Sequence, residues 1–255
     1  MTYELTAKEI GFLYVILEQP LPLFIDDPFA DVTAEKLEEE WKFFCGSSFL
    51  KGFLKLNEEG NPYIADELMD QLAVILTAEQ VISVVENDEV SKVLYIGEGT
   101  EKNIVIDIFE NHYSLSLFGR REFLKELLGS VSTENSQVNE FHFDMVLSEF
   151  DRLVEVFYDE GAEGLFQQCE KLNLPSRSIL SIIKAVNSPD CTVFLTESLR
   201  HRETAMTIVF NEAGTIKLVT SVYSGKGDRA ILREAKVERL PQLLLIDVEK
   251  VKGEV

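Results

Sequence analysis

The feature that most limits what this chain can fold into is a change of hydrophobic period that happens twice. Apolar residues first recur three and four apart, then fall into four short β-branched or aromatic runs divided by turn residues, then return to a short helical stretch. The same order follows in the second half. Strand runs this closely spaced pair antiparallel through hairpins, since a parallel neighbour needs a crossover of a dozen or more residues.

In the first half, Thr6 and Glu9 make a capping box, and Ile10, Leu13, Tyr14 and Leu17 follow at helical spacing, so a first helix is expected over 6–18. Pro20 and Pro22 end it, and a loop runs through Pro28. Thr33 is expected to cap a second helix that turns Leu37, Trp41 and Phe44 inward and stops at Gly46-Ser47-Ser48, with Trp41 as a core anchor. Phe53, Leu54 and Leu56 precede a turn at 57–62, and Ile64, Leu68, Leu72 and Ile75 predict a third helix. Strands are predicted at 81–85, 93–96, 104–108 and 113–117, and a helix at 121–128 ending on Gly129. The polar stretch 130–137 reads as a linker, giving halves 1–130 and 131–255 within one compact structure.

In the second half, helices are predicted over 145–158, 165–172 and 178–186, the first with Phe150, Leu153 and Phe157 on its core face. Strands follow at 192–195, 205–210, 216–222 and 230–232, with Asn211-Glu212-Ala213-Gly214 as a hairpin turn and a last helix near Pro241. The fold class is α+β, with an internal duplication of roughly 100 residues carried by pattern and not by identical residues.

Of 255 residues, 45 are acidic and 24 basic, a formal charge of −21. Phosphate backbones are repelled by such a field, so nucleic acid is excluded as a partner. No uncharged apolar run approaches the roughly 18–20 residues that span a bilayer. The start of the chain lacks the basic and long apolar regions of a cleavable signal, which makes a cytoplasmic protein the expectation. The charge is uneven: residues 1–90 carry −14, 91–190 carry −8 and 191–255 carry +1. The run Glu38-Glu39-Glu40 reads as a solvated helix face.

Catalytic constellations are absent from the spacing. Cys45, Cys169 and Cys191 read as reduced core thiols, and His112, His142 and His201 lie too far apart for a compact metal site. Neither a metal nor a cofactor is expected. His142 and Asp144 are a coincidence of neighbours, Ser224-Gly225-Lys226-Gly227 is a basic hairpin turn that lacks the spacing of a phosphate loop, and Arg200-His201-Arg202 reads as an exposed hairpin tip. Asp26-Asp27 sits in a loop.

Several local patterns, together with the element order, resemble the EspG-type chaperones of the type VII (ESX) secretion system. They are the opening helix with Leu13 and Leu17 followed by Pro20-Leu21-Pro22-Leu23, the stretch Leu56-Asn57-Glu58-Glu59-Gly60 leading into 64–76, and the later strands passing to a short helix. The resemblance implies a cytosolic protein built as a twisted antiparallel β-sheet flanked by two helical bundles with pseudo-twofold symmetry. It also implies that the protein keeps helical secreted substrates soluble before export. Family substrates of the PE and PPE type bind through a hydrophobic tip, against a strand-strand loop of the N-terminal half and the C-terminal helical bundle. The matching regions here are 97–103 and 145–158, which nominates Glu98, Thr100, Glu101, Phe157 and Tyr158 as partner-binding residues. A chain richer in Lys, Asn and Ile than typical members fits a diverged relative, whose substrate is another small helical protein.

The function implied is a non-enzymatic chaperone or adaptor for helical proteins of a type VII system. The alternative is an immunity protein whose acidic N-terminal half covers a cationic toxin. A catalytic site assembled only by the fold is a third reading, which spacing does not address.

Overall fold

The structure is a computed structural model and describes residues 2–86, 88–97, 102–110, 112–119, 122–128, 140–199, 203–212, 214–225 and 227–244. Strand β1 (Thr2–Thr6) passes without a linker into helix α1 (Ala7–Ile16). Helix α2 (Ala34–Lys51), the small pair β2 (Leu54–Leu56) and β3 (Pro62–Ile64), and α3 (Asp66–Leu76) follow. Then come β4 (Ala78–Glu86), β5 (Glu89–Gly97), β6 (Lys102–Phe109) and β7 (His112–Gly119), and α4 (Phe123–Leu128). The order then begins again. Strand β8 (Phe141–Val146) passes directly into α5 (Leu147–Lys171), α6 (Ser176–Val186) follows, and β9 (Thr192–Ser198), β10 (Glu203–Glu212), β11 (Thr215–Tyr223) and β12 (Arg229–Lys236) lead through a 3-10 turn to α7 (Leu240–Leu244).

Among the described residues, strands of the first repeat are hydrogen-bonded in the order β1-β7-β6-β5 and those of the second in the order β9-β10-β11-β12-β8. In each set the first strand closes on the last. Thr2 faces Ser116 and Thr6 faces His112; likewise Phe141 faces Glu234 and Val146 faces Arg229. The α+β fold and its duplication are therefore as expected, but the spacing is longer. Strands β4 and β9 start at Ala78 and Thr192, 114 residues apart, and β7 and β12 start at His112 and Arg229, 117 apart.

Two compact units form, Met1–Val81 with Val90–Arg120 and Ile82–Glu89 with Arg121–Val255. In the first, β1 alternates, with Tyr3 and Leu5 inward. The capping box is present: Glu9 N donates to Thr6 Oγ1 at 3.2 Å and Thr6 N donates to Glu9 Oε2 at 2.9 Å. Lys51 Nζ donates to the other oxygen of this buried carboxylate at 2.7 Å, which ties α1 to the end of α2. Phe12 packs against Phe29, Phe44 and Trp41, with ring centroids 4.6, 5.1 and 5.3 Å away, so Trp41 does anchor the core. Three successive residues of β6, Ile104, Val105 and Ile106, are buried, the mark of a strand covered on both faces. In the second unit, Ile179, Ile182 and Ile183 of α6 share a core with Val219, Ala230 and Leu232 of β11 and β12.

The local expectations need four corrections. Helix α2 does not stop at Gly46-Ser47-Ser48, because its inward face continues through the buried Phe44 and Ser48. It ends where Gly52 takes the left-handed conformation, φ 74° and ψ 19°, and Phe53 N donates to Ser48 O at 2.8 Å. Thr33 has the extended backbone of a cap, but its side chain makes no cap hydrogen bond. The helix expected over 145–158 begins later, because Met145 and Val146 belong to β8, and it runs on to Lys171 across a break at Gly161. Ile64, expected to open the third helix, ends β3. The linker 130–137 lies outside the described residues.

Candidate partner-binding surface

Helix α5 carries one of the two regions nominated from the sequence. Phe150 and Leu153 are buried in the core that includes Leu165, Cys169 and Ile182, and Val154 and Phe157 are half-buried against it. Tyr158, one position on and therefore about 100° round the helix, is 63% exposed. Its ring meets that of Phe157 edge-on, with centroids 5.7 Å apart. Phe157 thus holds the base of an outward aromatic, and the exposed carboxylates Glu155, Asp159 and Glu160 surround it along the helix. Three residues on, Gly161 has φ 72° and ψ −165°, a conformation essentially restricted to glycine, and divides α5 into two helical segments. The arrangement offers shape, apolar area and a tyrosine hydroxyl, and suits binding.

The second nominated region joins β5 to β6. Glu98, Thr100 and Glu101 lie outside the described residues. Of its flanks, Asn103 is buried on β6 opposite Phe118.

The remaining polar candidates are held by structural partners or kept neutral. Burial raises all three thiols, with Cys169 fully buried and the Cys191 Sγ donating to Ala185 O at 3.1 Å, so thiolate is scarce near neutral pH. Asp144 is gripped by Arg229, whose Nε donates to Oδ1 at 2.9 Å and whose Nη2 donates to Oδ2, joining β8 to β12. The turn at Ser224 closes on itself, Gly227 N donating to Ser224 O at 3.1 Å and Ser224 Oγ to Gly227 O at 3.2 Å. Asp27 Oδ1 accepts from Phe29 N at 2.8 Å in a local turn. Residues 200–202 and Lys226 lie outside the described residues. Among the described residues, no group of three or more His, Cys, Asp and Glu is placed to hold a metal, and no helix is long and apolar enough to cross a membrane.

One exposed surface escaped the reading of the sequence. On α2, Phe43 is 78% and Leu50 91% exposed. Their spacing of seven residues, opposite the face of Leu37, Trp41 and Phe44, was the available signal, hidden by the premature stop placed at Gly46.

Compared with solved structures, the chain is similar to the Mycobacterium tuberculosis type VII secretion system chaperone EspG5, determined in complex with a PE25-PPE41 dimer. The match covers 99% of this chain and 96% of that chain at a TM-score of 0.57, with 9% sequence identity. The fold is EspG-like. Full-length peroxisomal multifunctional enzyme type 2 from Drosophila melanogaster matches at a TM-score of only 0.14 and 14% identity, over 92% of this chain and 48% of that chain, and carries no argument. No protein-family model and no curated protein matches. The EspG-like fold therefore rests on three-dimensional agreement along the whole chain, with few residues in common.

Proposed function

We propose that this protein is a non-enzymatic cytosolic chaperone or adaptor that binds a helical substrate of a type VII secretion system before export. The observation that carries the reading is the EspG-like fold along nearly the full chain, shared with a type VII secretion system chaperone solved in complex with a PE25-PPE41 dimer. The residues proposed to bind are Phe157 and Tyr158 on α5 and, as a separate region, Glu98, Thr100 and Glu101 in the sequence between β5 and β6. Tyr158 supports it as an exposed aromatic braced by a half-buried one, a residue type that often dominates interface energy.

The full chain, purified from cells expressing its own secretion locus, is expected to retain one small helical secreted protein. Tyr158→Ala is expected to weaken that complex by about 1–2 kcal/mol, roughly 5–30-fold, with thermal stability unchanged. If no product of the locus is retained and deletion leaves export intact, the chaperone reading fails.

The charge of −14 over residues 1–90 favours the immunity reading as the competitor. Salt separates the two. Binding through an apolar surface changes little with ionic strength, whereas protection from a cationic toxin by acidic surface falls steeply.

A further inference from the structure

The outward face of α2 runs through Glu35, Glu39, Phe43, Gly46 and Leu50, residues that fall within about 40° of one line at 100° per residue. Every one of them is exposed. Phe43 and Leu50 stand about 10.5 Å apart along the axis, with Gly46 between them. A Cβ at Gly46 would meet no atom within 4 Å, and its φ is not positive. Among the described residues, neither packing nor backbone conformation calls for glycine there, although glycine in a helix interior is less stable than alanine. A bare backbone flanked by two exposed apolar side chains is the shape that admits close approach of another helix.

We propose that this face docks a cationic amphipathic helix of a partner protein, its apolar side chains packing on Phe43 and Leu50 across Gly46 and its Lys or Arg residues lying against Glu35 and Glu39. Charge selects this occupant. Glu38 is engaged by Lys42 and Glu40 by Lys8, whereas Glu35 and Glu39 make no ion pair among the described residues. A second copy of the chain, or an anionic membrane, would bring like charges together on a segment already carrying −14 over residues 1–90. The inference is independent of the export reading, which uses α5.

Fluorescence anisotropy with the full chain tests it, using a labelled synthetic amphipathic helix of about 18 leucines and lysines and a counterpart with glutamate for lysine. The lysine helix is expected to bind and the glutamate helix not. Phe43→Ser with Leu50→Ser should weaken binding at least tenfold. Glu35→Lys with Glu39→Lys should weaken it at least fivefold at low salt. Gly46→Gln should weaken it at least fivefold while raising Tm, an outcome that unfolding does not produce. The proposal is overturned if the wild type shows no binding, if these variants bind as the wild type does, or if Tyr158→Ala abolishes binding instead. A wild-type dimer in sedimentation that Phe43→Ser with Leu50→Ser dissolves would assign the face to a second copy and overturn it equally.

Discussion

Two buried tyrosines in the first unit have opposite balances. Tyr95 Oη donates to Leu23 O at 2.7 Å and so holds the loop after α1 against β5. The Tyr14 hydroxyl is buried with no hydrogen-bond partner among the described residues. Tyr95→Phe is expected to cost about 1 kcal/mol in urea unfolding, because a carbonyl loses its donor, whereas Tyr14→Phe should be neutral or stabilising by up to about 1 kcal/mol. Burial raises both phenols well above their ordinary 10.0. Their contribution is fully present below pH 10 and is lost above it, as the unfolded chain releases protons that the folded chain retains. Unfolding free energy measured from pH 9 to 11.5 should therefore fall, and less steeply in Tyr14→Phe. Gly11 shows the opposite use of a helix glycine from Gly46. A Cβ at Gly11 would sit 2.5 Å from the Phe29 ring and 2.8 Å from Pro28, so the loop after α1 can close only on a bare backbone.

At the scale of elements, what the sequence revealed depended on whether a signal was local. The capping box of α1 and the meander strands were legible because their determinants lie within a few residues. Strands β1 and β8 were not, although Tyr3 and Leu5, and Phe141, Phe143 and Met145, alternate as strands do. Each is short and leads without a turn into a helix, so the helical period masked it, and its pairing partner lies far along the chain. The stop of α2 was misplaced because Gly46 weakens a helix that tertiary burial of Phe44 and Ser48 sustains. In the candidate site, the core role of Phe150 and Leu153 was readable from spacing, but the exposure of Tyr158 was settled only by where α5 lies on its core. The break in α5 gives a direct test. Gly161→Ala should destabilise the protein by about 1–3 kcal/mol in thermal or urea unfolding, because no other residue adopts its backbone cheaply. A loss below about 0.5 kcal/mol would mean that the two segments of α5 straighten freely.

At the scale of the whole molecule, a formal charge of −21 opposes compaction through self-repulsion. Raising NaCl from about 10 mM to about 500 mM should therefore raise Tm by a few degrees, since salt screens the repulsion and the ion pairs it also weakens, such as Lys42 with Glu38, are exposed. A flat or falling Tm would show that the ion pairs outweigh the repulsion.

The closure of each repeat by its first strand sets an order of events in time. Thr2–Thr6 finds its place only against His112–Ser116, so the residues synthesised earliest in that unit are among the last to be paired. A chain emerging from the ribosome holds the apolar side of β1, Tyr3 and Leu5, uncovered for more than a hundred residues of synthesis. Closing so long a loop makes folding slow relative to a helical protein of equal size.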